Sequence, residues 1–186
     1  AAHRVTLLDV PNHGRSAWPD RIDLVDMADS IAALLDEPTA LVGHSMGGKV
    51  AMLVALRHPA LISRLCVVDV APVAYRESDE FAGFIDAMLG IDLGALGYRA
   101  DADAALADAV PDPGVRAFLL QSLRRDGDAW AWMSNLEVLR RDLGAIRGWP
   151  DVDGVYDGPV LWIAGGASRY VRDEHRDTME ARFPRV

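Results

Sequence analysis

Gly43-His44-Ser45-Met46-Gly47 carries the residue types and spacing of a nucleophile. A serine hydroxyl attacks poorly until a base activates it and an oxyanion site lies beside it. The G-x-S-x-G spacing supplies a tight turn between a strand and a helix, with His44 at a variable position and Gly43 and Gly47 placed where such a turn leaves no room for side chains. The context is the required one, because Thr39-Ala40-Leu41-Val42 reads as a strand and residues 46–58 as a helix. Ser45 is therefore the candidate nucleophile. The backbone N–H of Met46, at the positive end of the following helix, is the candidate oxyanion donor. The competing reading is that these glycines serve only close packing of helix on strand.

The elements around the turn must hold it at the edge of a sheet. Apolar runs at 5–8, 39–42, 64–70 and 159–164 alternate with helix-period segments at 23–36, 46–58 and 173–182, the pattern of a mostly parallel sheet flanked by helices. Between residues 71 and 149 strand signals vanish, and helix-like segments at 80–89, 115–125 and 128–139 follow one another. The expected organisation is a first part of the core at 1–71, a helical cap at 72–149 and a second part of the core at 150–186. Residues 150–159, rich in Asp and Gly, read as the loop returning the chain to the sheet. An insertion at this point is expected above the sheet edge that carries Ser45. Phe81, Phe84, Met88, Phe118, Leu119, Trp130, Trp132 and Met133 are its candidate acyl-pocket residues, with a small core inside the cap as their other destination. The acidic stretch 101–108 lacks the Gly and Glu of a calcium loop and reads as a solvated helix face.

The 186 residues are 51% hydrophobic, enough for a substantial core. A net charge of -9 with no basic run argues against a nucleic-acid partner. Cys66, the only cysteine, lies in the apolar run Leu65-Cys66-Val67-Val68 and reads as a buried structural thiol. No stretch reaches the about 20 apolar residues of a membrane span, and the first residues lack a signal-peptide pattern, so a cytoplasmic location is expected. No metal or organic cofactor is implied: no His/Cys/carboxylate cluster has ligand spacing, and Gly165-Gly166 lacks the rest of a dinucleotide fingerprint.

With Asp9-Val10-Pro11-Asn12-His13-Gly14-Arg15-Ser16 after the first strand and residues 43–48 at the turn, the chain resembles α/β-hydrolases. Gly-His-Ser-Met-Gly-Gly-Lys-Val at 43–50, Val-Val-Asp-Val-Ala-Pro at 67–72 and Gly-Gly-Ala-Ser-Arg-Tyr-Val at 165–171 are similar to a small bacterial and mitochondrial group of acyl esterases and thioesterases. That resemblance implies a Ser-Asp-His triad. The usual hydrolase acid follows the strand at 159–164, where this chain has Ser168. The resembled group carries its acid at a shifted place, here Asp69 at the end of the preceding strand. Asp173 is the other candidate acid, and a plain strand-end cap is the other role for Asp69. Hydrolase order places the histidine after a further strand, beyond Val186, and the second oxyanion donor before Ala1. The first strands and the last strand and helix are thus expected outside these residues. Of the five histidines, His3 precedes the first strand, His13 lies in a loop that in the resembled family shapes the site, His44 is in the turn, His58 ends a helix and His175 lies on a helix after the penultimate strand.

The expected function is a serine hydrolase acting on small-molecule carboxylic esters or thioesters of small to medium acyl groups, with an acyl-enzyme on Ser45. The alternative is a noncatalytic ligand-binding module of hydrolase fold, or an inactive fragment lacking the catalytic histidine.

Overall fold

The computed structural model describes residues 4–75 and 80–186. In chain order its elements are α1 (Leu24–Ala32), β1 (Thr39–His44), α2 (Met46–Arg57), β2 (Ile62–Val68), α3 (Glu80–Leu89), α4 (Arg99–Leu106), α5 (Pro113–Leu119), β3 (Leu123–Asp126), β4 (Ala129–Trp132), α6 (Leu136–Arg141), α7 (Leu143–Arg147), β5 (Val160–Ile163) and α8 (Arg176–Arg182). They fall into two compact units, one of Ala1–Ile22 with Glu77–Leu143 and one of Asp23–Arg76 with Gly144–Val186.

The second unit holds a parallel sheet in the order β1-β2-β5. Its register pairs His44 with Val68 and Val68 with Ile163. Helix α2 packs against β1, β2 and α1. It is apolar nearly all round, and every residue from Gly48 to Leu56 is buried. Helix α1 starts where the Asp23 carboxylate accepts the N–H groups of Val25 and Asp26, and it buries Leu24, Met27, Ala28 and Ile31. On the far side of β2, Phe183 meets Trp162 and Tyr156 edge to face at 5.5 and 6.5 Å, and the Tyr156 hydroxyl donates to the Ile62 carbonyl at 3.0 Å. One face of the sheet stays open, with Val42 and Leu161 67% and 59% exposed.

The first unit contains α3 packed on α6 and a two-stranded hairpin, β3-β4. Its loop at 9–17 is tightly bonded. Asn12 is fully buried; its side-chain oxygen accepts from Asn135 Nδ2 at 2.9 Å, and the Asn135 backbone N–H returns to the Asn12 carbonyl at 2.9 Å. The Asp9 carboxylate accepts the Arg15 N–H at 3.1 Å. A Cβ on Gly14, whose φ is 57°, would sit on that carboxylate. The Asp-x-x-x-x-Gly spacing therefore has a steric cause.

Several sequence expectations are corrected. Residues 5–8 form no strand: extended backbone becomes a strand only by pairing, and this segment pairs with nothing among the described residues, leaving Leu7 92% exposed. The helix expected over 115–125 forms as α5 only as far as Leu119 and the one over 128–139 as α6 only from Leu136, with a hairpin from Leu123 to Trp132 between them. Gly127, with φ of 60°, supplies the positive φ that a two-residue hairpin turn needs at its first central position. The helix at 23–36 stops at Ala32, the strand at 64–70 runs instead from Ile62 to Val68, and the helix at 173–182 opens as a 3-10 turn, Asp173–His175. The acidic stretch does form a helix face: Asp101 accepts the N–H groups of Gly97 and Tyr98, and Asp103 pairs with Arg116 at 3.0 Å. No helix among the described residues is long and apolar enough to cross a membrane.

Candidate active site

Ser45 sits between the last residue of β1 and the first of α2, at φ 52° and ψ -122°. A non-glycine residue with such a φ costs on the order of 1–3 kcal/mol and persists only where its surroundings hold it. Here the Ser45 N–H donates to the Val68 carbonyl on the neighbouring strand at 3.0 Å. The Ser45 carbonyl accepts the N–H groups of Gly48 and Lys49 at 2.9 and 3.1 Å. The residue is exposed. The Met46 N–H, first in the helix, donates to no described acceptor, as an oxyanion donor must be left to do.

The crowding around this turn differs from the sequence expectation. A Cβ on Gly43 would overlap the Gly47 carbonyl and lie 2.8 Å from Gly48 Cα, while a Cβ on Gly47 meets nothing within 4 Å. The second tight position is Gly48, whose Cβ would stand 2.6 Å from Val70 Cγ1. Gly47 is thus not excluded from carrying a side chain by space; its backbone is what Gly43 must clear.

Asp69 is the residue after the last of β2, as Ser45 is after the last of β1. It too has left-handed backbone, φ 56°. Its N–H donates to the Ile163 carbonyl at 2.7 Å, and its Oδ1 accepts the Gly165 N–H at 3.0 Å. Ser168, at the usual acid position, is turned to local work: its hydroxyl accepts the Tyr170 N–H at 3.1 Å. Asp173 is exposed at the start of a 3-10 turn.

No described histidine is hydrogen-bonded to Ser45 or Asp69. His13 lies 3.1 Å from the Pro11 carbonyl, His58 pairs with Asp29 at 2.7 Å, His175 is buried with Nδ1 accepting the Arg172 N–H, and His44 is exposed. His3 lies outside the described residues.

The candidate pocket residues have separate destinations. Phe81 and Phe84 meet edge to face at 6.1 Å. Met88 is buried in its unit, whereas Phe118 is 61% exposed. Trp130 is held between two guanidinium groups, Arg125 at 4.4 Å and Arg99 at 5.7 Å, and its Nε1 donates to the Leu96 carbonyl. Trp132 and Met133 are half-buried, Trp132 paired with Leu123 and the Met133 N–H bonded to the Ser122 carbonyl.

Two residues escaped sequence reasoning. Lys49 is buried, and its ammonium donates to the carbonyls of Ile146, Arg147 and Gly148 at 3.2, 2.7 and 2.5 Å. Burial pushes its pKa down to about 8. Tyr75 lies beneath it, with Lys49 Nζ 4.9 Å from the ring centre, and burial raises the pKa of its hydroxyl. The signal for Lys49 was a charge inside the apolar run of α2, where a buried charge must find partners.

The sequence model described as "Alpha/beta hydrolase family" matches residues 1–186. The chain is 36% identical over 191 residues to the sn-1-specific diacylglycerol lipase ABHD11 of Mus musculus, covering 98% of this chain and 62% of that protein. It is 33% identical over 190 residues to Esterase YbfF of Escherichia coli strain K12, covering 99% of this chain and 72% of that protein. The solved structure of a marine microorganism esterase superposes with a TM-score of 0.88 at 28% identity, covering 95% of this chain and 72% of that one. The chain thus spans a little over three fifths of the mouse relative's length.

Proposed function

We propose a function from one premise: the chain belongs to the alpha/beta hydrolase family. In this proposal it works as a serine hydrolase that cleaves carboxylic esters or thioesters of small to medium acyl groups through an acyl-enzyme on Ser45. The observation that carries the proposal is the strained Ser45 backbone at the start of α2, with the residue exposed and the Met46 N–H free of described acceptors. The names of the relatives, a diacylglycerol lipase and an esterase, support the ester class.

In this mechanism an imidazole takes the Ser45 proton and the alkoxide attacks the acyl carbonyl. The Met46 N–H binds the oxyanion, and the imidazolium returns its proton to the leaving alcohol or thiol. Water then clears the acyl-enzyme. Asp69 steadies the imidazolium; its place beside Ser45 at the sheet edge supports that role over Asp173.

The other reading is a noncatalytic ligand-binding module. Hydrolysis of p-nitrophenyl esters from acetate to octanoate, and of the matching acyl thioesters, separates the two. The hydrolase reading expects turnover that Ser45→Ala abolishes. Binding of the esters without turnover supports the module.

A further inference from the structure

We propose that Tyr75 is the positioning residue of Asp69; this rests on Asp69 being the acid of the proposed hydrolase. The segment leaving β2 is tied down at each of three successive residues. Asp69 is bonded through its N–H to Ile163 and through its carboxylate to the Gly165 N–H. The Val70 carbonyl accepts Trp162 Nε1 at 2.7 Å. The Ala71 N–H donates to the Tyr75 hydroxyl at 2.6 Å. The first three partners lie on β5 or just after it. Tyr75 alone comes from the segment's own continuation.

The chemistry of the two neighbours fixes the direction of both Tyr75 hydrogen bonds. An amide N–H can only donate, so the hydroxyl oxygen accepts from Ala71. The Tyr170 carbonyl can only accept, so the hydroxyl proton goes there, at 2.6 Å. The Ala71 carbonyl, at 3.5 Å, is too far to compete. The hydroxyl therefore carries the β2 exit back to the segment after β5, and it reaches Asp69 through the backbone rather than by contact.

The ring joins this clasp to the nucleophile. It meets Tyr170 edge to face at 5.4 Å and His175 at 6.1 Å. Lys49, over its face, is the residue whose own N–H bonds to the Ser45 carbonyl. A left-handed Asp69 is uphill by itself, so losing the clasp lets residues 69–71 relax away from the geometry in which the carboxylate faces its imidazole. Small misplacements of this kind cost catalysis far more than they cost binding.

Tyr75→Phe keeps the ring and removes the hydroxyl, and it is measured in the protein as its gene encodes it. Expected are a fall in kcat of roughly tenfold or more with KM unchanged, a shift of the acidic limb of kcat/KM to lower pH, and faster hydrogen exchange at the Ala71 amide. On an Asp69→Asn background Tyr75→Phe is expected to add no further loss, because both act through one group. Unchanged kcat, or a loss that adds fully to that of Asp69→Asn, overturns the inference. Should Tyr75→Phe fail to fold, fluorotyrosine at position 75 keeps the shape and lowers the hydroxyl pKa; activity is then expected to fall at a lower pH than in the wild type, and an identical alkaline profile overturns the inference. A fluorophosphonate adduct on wild-type Ser45 separates the failures. With the adduct present, a normal Tyr75→Phe defeats the positioning role alone. Without it, the hydrolase reading fails and the positioning role falls with it.

Discussion

Ser45 and Asp69 stand at the same level of neighbouring parallel strands, each one residue beyond the His44–Val68 pair, with φ of 52° and 56°. Adjacent strands run about 4.8 Å apart, so two residues that each cost energy to hold meet at one sheet edge. Each is held the same way, by its N–H on the last carbonyl of the next strand: Ser45 on Val68, Asp69 on Ile163. Paired strain of this kind is expected where backbone is set for chemistry.

The crowding at the turn predicts an order among glycine substitutions. Gly43→Ala forces the new Cβ onto the Gly47 carbonyl and is expected to cost about 3 kcal/mol or more, and Gly48→Ala about 1–3 kcal/mol against Val70. Gly47→Ala meets no atom within 4 Å and lies in a helix, so it is expected to be neutral or to stabilise by about 0.5–1 kcal/mol. Urea unfolding of the three variants checks this ranking, and a Gly47→Ala as damaging as Gly43→Ala contradicts it.

The assignment of the acid predicts unequal effects of two isosteric changes. Asp69→Asn keeps an oxygen for the Gly165 N–H and the fold with it, yet is expected to lower kcat by about 10⁴. Asp173→Asn, at an exposed position, is expected to leave kcat within about twofold. Steady-state ester hydrolysis distinguishes them, and the reverse order moves the acid to Asp173.

Lys49 predicts a pH-dependent stability. Its pKa falls from 10.5 to about 8 in the folded protein. Between those values the unfolded chain holds the proton and the folded one does not, so this group makes stability rise with pH across that window. The full gain is at most about 3 kcal/mol, and the three carbonyls that favour the ammonium hold it below that. Lys49→Met is expected to lose this rise in denaturant unfolding between pH 8 and 10.5. Parallel profiles for the two proteins contradict the assignment.

The turn at Ser45 was legible because a strand, a glycine-flanked serine and an apolar helix are local signals. The left-handed backbone of Asp69 was not, since Val-Val-Asp-Val reads as a continuing strand and φ is set by hydrogen bonds to β5, over ninety residues away. The β3-β4 hairpin was missed because four-residue strands give too little alternation, although Gly127-Asp128 carried a turn signal. Lys49 was legible only as a charge inside an apolar helix. Its partners at 146–148 are distant in sequence and are backbone carbonyls, which no residue pattern announces.

The central claim is that Ser45 is an activated nucleophile, and intact mass after treatment with a fluorophosphonate tests it most directly. The account predicts one covalent adduct on the protein as its gene encodes it, and none on Ser45→Ala. An unmodified wild-type protein, or an adduct that persists in Ser45→Ala, contradicts it.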